Sequence, residues 1–230
     1  MLIYIKQAKF KLNYFTKYFI NYNYLLNLGL HLGGNYKLKH MTNSSLIYGF
    51  KHNQTILNLT KTLFELRKTL KIIETISFKR GVLYYVNNSI TFQIACQNIF
   101  HTFNKYLLKK KKLLLEYIYN FSKWPAGFLT NNSIYFKSLK YKLKFPRLPH
   151  FGFLNDFFIN FIALKEFKKI WVPYCNLIDI TQFNLNYSYY TLISNGKSID
   201  STYFYLFNCL NSFYIGYHNE KFKFKLISQN

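Results

Sequence analysis

Residues 58–86 read NLTKTLFELRKTLKIIETISFKRGVLYYV and hold the clearest structural pattern in the chain. From Leu59 onward, apolar residues recur at steps of three and four, the spacing of a helix that buries one stripe of its surface. Asn58 is placed to cap this helix, and Lys79-Arg80-Gly81 to close it. Residues 82–86 follow directly, an uninterrupted apolar run that is typical of a strand buried on both faces of a parallel sheet.

The alternation of helix and strand continues to the end of the chain. Ile199, Tyr203, Leu206 and Leu210 form the apolar stripe of a closing helix that Ser198 can cap. We predict further helices over residues 89–107 and 163–169, and strands over 117–121, 157–160, 174–179 and 190–193. This alternation predicts a doubly wound α/β domain with a mostly parallel sheet and helices on both faces.

The charge balance favours a polyanionic partner. The chain has 31 Lys and Arg against 8 Asp and Glu, a formal net charge of +23 over 230 residues. Repulsion between charges on that scale destabilises the compact isolated chain unless a polyanion neutralises it, so a nucleic acid is the preferred partner. An anionic membrane surface is the alternative. No apolar run approaches the roughly 18 residues of a spanning helix, and we predict no membrane span.

The aromatic content is high, with 25 Phe and 22 Tyr. An AT-rich genome, such as that of a compact organelle, would encode this composition. We therefore interpret many of these rings as core residues that replace Leu or Val, rather than as platforms on which bases stack.

The residues that carry catalysis or metal binding are sparse. Three widely spaced cysteines, Cys96, Cys175 and Cys209, allow neither a complete disulfide framework nor a metal clip, which indicates buried thiols in a reducing compartment. No phosphate-binding glycine loop follows a strand, and the six histidines are scattered. Asp179 ends a predicted strand where α/β enzymes place catalytic groups, but a turn-forming aspartate is the preferred interpretation. We predict no enzyme, no cofactor and no metal.

Five short motifs carry a resemblance to a known family. They are LGLHLGG at 28–34, LIYGFKHNQTILNLTKT at 46–62, WPAGFLTN at 124–131, VP with LID at 172–173 and 177–179, and the turn and helix at 194–206. In this order, over residues 25 to 215, the chain resembles the S-two family of small-subunit ribosomal proteins. The second motif aligns with a family strand that ends in Gly, a basic loop and the opening of the first long helix.

The sequence also departs from the family pattern. Gly34 replaces the second His of the first motif, Pro125-Ala126 replace Leu-Gly, and Asn160 stands where the family usually has Asp at a strand end. Only a short segment separates Asn131 from Phe145, where bacterial relatives insert a long helical hairpin. We expect that hairpin to be largely lost.

The resemblance implies a non-catalytic protein with a flavodoxin-like sheet in the small subunit of an organelle ribosome. Its place would be near the junction of head and body, close to the exit of messenger RNA. The implied partners are small-subunit ribosomal RNA, neighbouring small-subunit proteins and messenger RNA. The divergence favours the mitochondrial matrix over a plastid. The alternative is a basic membrane-associated or RNA-binding organelle protein outside the ribosome.

Basic and amide side chains in the loops of this domain are the candidate RNA contacts, since they neutralise phosphates and fix register on folded RNA. A solvated lysine is the alternative at each basic position, and a core or interface anchor is the alternative for Trp124. The predicted RNA-facing residues are Asn35, Lys37, Lys39, His40, Lys51, His52, Asn53, Arg80, Lys109, Lys110, Lys111, Lys112, Lys123, Trp124, Thr130 and Asn131.

Three segments are expected along the chain. Residues 1–27 form a basic N-terminal extension that we predict to be helical and retained in the mature protein, with a cleaved matrix-targeting peptide as the alternative. Residues 28–215 form the S-two-like α/β domain, and residues 216–230 a basic C-terminal tail.

Overall fold

The computed structural model describes residues 22–35, 46–108, 117–131, 147–156, 159–178, 189–193, 195 and 198–227. The helices are α1 (Tyr22–Asn27), α2 (Leu59–Phe78), α3 (Ile90–Leu108), α4 (Phe161–Lys169) and α5 (Ile199–Ile227). The strands are β1 (Leu32–Asn35), β2 (Ile47–Lys51), β3 (Gln54–Leu57), β4 (Leu83–Val86), β5 (Ile118–Phe121), β6 (Phe151–Asn155), β7 (Tyr174–Ile178) and β8 (Tyr190–Ile193).

Five strands form a sheet in the order β5-β4-β6-β7-β8, and every neighbouring pair is parallel. Counted along the sheet's own strands, this order is 2-1-3-4-5, which is the flavodoxin-like version of the doubly wound fold. The predicted α/β fold is therefore confirmed. Residues of β4, β6 and β7 are buried along their whole length, as a sheet covered on both faces requires.

Different helices cover the two faces of this sheet. On one face, the Tyr85 hydroxyl lies 3.3 Å from the Cys96 sulfur of α3, and α5 packs along both α2 and α3. Gly216 permits the close approach of α5, since a Cβ there would lie 2.2 Å from the carbonyl oxygen of Glu74 in α2. The other face carries α4, whose Phe167 ring packs on Tyr84.

One predicted strand was wrong. The sequence predicts a strand at residues 157–160, whereas the strand in this part of the chain, β6, lies earlier, at Phe151–Asn155. Gly152 obscures β6 in the sequence because glycine weakens a strand. The structure gives this glycine a role, since a Cβ at Gly152 would lie 2.6 Å from the Phe167 ring. Asn160 does not end a strand but precedes α4 as its N-cap residue.

A second, three-stranded antiparallel sheet precedes α2 and was not predicted. Its order is β1-β3-β2. The strand expected to end at Gly49 continues to Lys51, and the expected basic loop is a two-residue turn at His52 and Asn53. Both turn residues have positive φ, 46° and 64°. That combination defines the tight hairpin turn whose twist matches the flanking strands.

The ends of the described chain are helical. α5 runs without interruption from Ile199 to Ile227, so the boundary predicted between residues 215 and 216 lies inside this helix. α1 covers the end of the predicted N-terminal extension, and residues 1–21 lie outside the described residues. Residues 132–146, where we expect the family's hairpin to be reduced, also lie outside them. None of the described helices is long and apolar enough to cross a membrane.

Candidate nucleic-acid interface

The small antiparallel sheet brings four of the predicted RNA-facing residues to one end. Asn35 of β1 and Lys51 of β2 both pair with Gln54 of β3, and His52 with Asn53 forms the turn beside them. All four predicted side chains are exposed. The arrangement presents amide, ammonium and imidazole groups side by side at the tip of one hairpin, groups that suit phosphate and sugar oxygens.

Arg80 lies apart from this tip. It follows the C-terminal end of α2, whereas the hairpin precedes the start of that helix at Asn58. A 20-residue helix is about 30 Å long, so Arg80 lies near the far end of the domain. The predicted residues that the structure describes are therefore divided between separate parts of the domain.

A third group occupies the loop that follows β5. Lys123 and Asn131 are exposed and Thr130 is half-buried. The backbone N–H of Asn131 donates to the carbonyl oxygen of Gly127 at 2.7 Å, which closes the loop on itself. This loop projects from the carboxyl end of the sheet, the end opposite to Arg80.

Trp124 belongs to the core of this loop. Only 6% of its surface is exposed. Its ring centroid lies 5.0 Å from that of Phe121, 5.4 Å from Phe128 and 5.7 Å from Phe167. This placement argues against Trp124 as a base-stacking residue and favours the packing alternative.

Glu166 was not among the predicted functional residues, yet it organises the same loop. It is 6% exposed on α4. Its two carboxylate oxygens accept the backbone N–H of Gly127 at 2.6 Å and of Leu129 at 2.9 Å. Since bonds to a carboxylate are the stronger kind, Glu166 holds the WPAGFLTN segment in place. A single glutamate on the buried stripe of a predicted helix is the signal that could have found it.

Asparagines tie together the loops at the carboxyl end of β4 and β6. The Asn88 side-chain oxygen accepts the backbone N–H of Trp124 at 2.7 Å. The Asn160 side-chain oxygen accepts the Asn88 N–H at 3.2 Å, and its amide nitrogen donates to the carbonyl oxygens of Asn155 and Asp156. Doubly wound folds bind ligands between two such strands. Here these amides bond to the protein's own backbone.

The three cysteines are free and buried, which confirms the prediction of buried thiols. Burial raises the pKa of the Cys96 thiol and, more strongly, the pKa values of Cys175 and Cys209. These groups therefore stay protonated at neutral pH and are poor nucleophiles. No group of three or more His, Cys, Asp or Glu that could hold a metal ion occurs among the described residues.

The remaining predicted residues lie outside the described part of the chain. They are Lys37, Lys39, His40, Lys109, Lys110, Lys111 and Lys112. Asp179, the carboxylate considered for catalysis, also lies outside it.

The fold and the exposed cations together define a flavodoxin-like α/β domain with a basic exterior. The sequence pattern of the family described as Ribosomal protein S2 matches residues 25–145, a little over half of the chain. The chain belongs to the ribosomal protein S2 family. It is also similar to the small ribosomal subunit protein uS2m of Marchantia polymorpha, with 32% identity over 126 residues. That alignment covers 54% of this chain and 47% of the relative, so the chain matches about half of the relative's length.

Proposed function

We propose that this protein is a structural, non-catalytic component of the small subunit of a mitochondrial ribosome and that it binds small-subunit ribosomal RNA. The observation that carries the proposal is the membership of the chain in the ribosomal protein S2 family. The name of its Marchantia polymorpha relative, a small ribosomal subunit protein, supports the same assignment.

The physical chemistry of the chain fits this role. A net charge of +23 favours a partner with a dense array of phosphates, because each neutralised phosphate releases counterions. Asn35, Lys51, His52 and Asn53 give the hairpin tip donors for phosphate and sugar oxygens without any acid among them. Folded RNA is recognised largely by shape and backbone, which such contacts supply.

The finer placement is also proposed. We propose that the domain lies near the junction of head and body, beside the exit of messenger RNA, as the family resemblance implies. Its partners there are ribosomal RNA, neighbouring small-subunit proteins and messenger RNA. Lys123, Thr130 and Asn131 at the carboxyl end of the sheet and the hairpin tip would then face RNA or a neighbouring protein.

Sedimentation of an organelle lysate tests the proposal. Sucrose gradients are run at moderate and at high salt, and the chain is followed by mass spectrometry alongside other small-subunit proteins. We expect the chain to migrate with small-subunit RNA at moderate salt. High salt should release it at least partly, because phosphate contacts weaken steeply as salt rises.

Migration in the soluble fraction, while other small-subunit proteins sediment with the RNA, would refute the ribosomal role. It would favour an RNA-binding protein outside the ribosome. Recovery with membranes, and resistance to carbonate extraction, would favour the membrane-associated alternative.

A further inference from the structure

Three loops enter the five-stranded sheet side by side at its amino end. They are residues 79–82 before β4, 147–150 before β6 and 168–173 before β7, the last of which includes the final two residues of α4. The His150 N–H donates to the Val82 carbonyl oxygen at 2.8 Å, and the Gly152 N–H donates to the Pro173 carbonyl oxygen at 3.1 Å. These bonds join the loops into one continuous surface, which we call the amino-end surface.

The amino-end surface is basic. None of its three loops contains an aspartate or glutamate. The one acid of the adjoining helix α4, Glu166, is buried and bonded to the loop after β5, so it does not offset the charge. The exposed polar side chains of the surface are Lys79, Arg80, Arg147, His150, Lys168 and Lys169.

Trp171 is the aromatic member of this surface, and 82% of it is exposed. It has a φ of 58° at the end of α4. The backbone N–H of Trp171 donates to the Lys168 carbonyl oxygen at 3.2 Å, and the backbone N–H of Val172 to the Phe167 carbonyl oxygen at 3.1 Å. This is the hydrogen-bond pattern of a helix end that prefers glycine at the left-handed position. A bulky tryptophan there is strained, and its exposed ring gains little burial inside the domain in return.

α2 ends at the same surface in the same way. Arg80 has a φ of 56°, its N–H donates to the Ser77 carbonyl oxygen at 3.0 Å, and the Gly81 N–H donates to the Ile76 carbonyl oxygen at 2.8 Å. Both helices that end here thus place a long exposed side chain where glycine would relieve the backbone. Local backbone strain of this kind points to a role in binding.

We propose that the amino-end surface binds an unpaired segment of ribosomal RNA, with the Trp171 indole stacked on a base and the cations around it on phosphates. The inference rests on the proposed function for the identity of the polyanion. Basic side chains around an aromatic ring are the combination with which proteins hold single-stranded RNA. A protein partner would need a matching acidic patch. The surface lies at the end of the sheet opposite to that where doubly wound enzymes bind their ligands.

The test measures binding of the full chain to an in vitro transcript of the small-subunit ribosomal RNA from the same organelle. Trp171→Gly removes the ring and supplies the residue that the helix end prefers, so its Tm should be no lower than that of the unmodified chain. We expect it to weaken binding roughly 5- to 150-fold, the range for loss of one stacked base. Trp171→Phe should recover most of the affinity.

Ile90→Ser is the matched control. Ile90 is 83% exposed, much as Trp171 is, but it begins α3 at the carboxyl end of the sheet. This variant should bind like the unmodified chain. For the cations, Lys168→Gln with Lys169→Gln should lower the slope of log affinity against log salt by about 2, if each lysine meets one phosphate. Lys61→Gln with Lys71→Gln on α2 makes the same change of charge elsewhere and should alter the slope less.

RNA binding by Trp171→Gly equal to that of the unmodified chain would overturn the inference while leaving the ribosomal role intact. If the same variant were also poorly incorporated into subunits reconstituted with the other small-subunit proteins, Trp171 would be an anchor for a protein. If the unmodified chain itself failed to bind the transcript, the proposed function would fail instead.

Discussion

Replacing Glu166 by glutamine tests whether the loop after β5 is held by a buried carboxylate. The carboxylate accepts two backbone N–H groups, at 2.6 Å from Gly127 and 2.9 Å from Leu129. A glutamine keeps the shape but presents an amide N–H₂ to one of these donors, so one hydrogen bond is lost and the other loses its charge. Hydrogen bonds to charged groups contribute about 1.5–3 kcal/mol each, so Glu166→Gln should lower the free energy of unfolding by about 2–4 kcal/mol.

Urea unfolding followed by tryptophan fluorescence measures this loss. For a chain of this size, each kcal/mol shifts Tm by about 2–4 °C, so thermal unfolding should show a drop of at least about 4 °C. Glu65→Gln is the control, because Glu65 is partly exposed and lies 4.0 Å from Lys68 in a surface ion pair. Such pairs contribute at most about 1 kcal/mol. Equal losses in the two variants would show that Glu166 does not hold the loop.

Three further outcomes follow from packing and burial. Gly216→Ala should destabilise the chain by more than about 2 kcal/mol in urea unfolding, because its Cβ would lie 2.2 Å from the Glu74 carbonyl oxygen, whereas Gly49→Ala, with no atom within 4 Å, should be nearly neutral. Burial, and then the neighbouring Tyr189, raise the pKa of Tyr174 to about 12. An unfolded tyrosine loses its proton near pH 10, so the stability from this group is complete below pH 10 and is lost as pH rises to about 12. Across that window, the free energy of unfolding of the unmodified chain should fall by about 2 kcal/mol more than that of Tyr174→Phe. The three buried thiols should not react with a disulfide reagent at pH 8 until urea unfolds the chain, and reaction of the native chain would contradict their burial.

The sequence predicts the parallel sheet well because its signals are local. Asn58, placed to cap α2, accepts the Thr60 N–H through its side chain at 3.2 Å. Residues 82–86 are fully buried, as an apolar run between two helices requires. Cap, helical stripe and buried strand all agree over one short segment, and agreement between levels of this kind makes a fold predictable.

The errors have a different origin. β6 was misplaced because its Gly152 is required by the close approach of the Phe167 ring, and no local sequence pattern connects these two residues. The small sheet was missed because its turn lacks the usual glycine. His52 and Asn53 adopt positive φ instead. In both cases a contact or a backbone conformation set by tertiary structure overrides local propensity.

The candidate site was less predictable than the fold, since exposure decides which side chains can meet RNA. The chain has two tryptophans, and the sequence singled out Trp124. The structure buries Trp124 at 6% exposure and leaves Trp171 at 82%. Trp124 lies in a recognisable motif, whereas Trp171 follows a short helix with nothing in the sequence to mark it. The left-handed conformation of Trp171 becomes apparent only once the helix end is known.

The two ends of the sheet differ in chemistry, and this difference bears on how the fold is used. At the carboxyl end, where doubly wound enzymes bind their ligands, Asn88 and Asn160 bond to backbone groups of the protein. At the amino end, the loops present exposed cations and Trp171 to the surroundings. Carboxyl-end asparagines that bond to the protein's own backbone, together with exposed cations at both ends of the sheet, suit a partner that the protein holds rather than transforms. The Glu166 and Trp171 variants separate two contributions, since the first tests how the loop after β5 is held and the second tests RNA binding at the amino end.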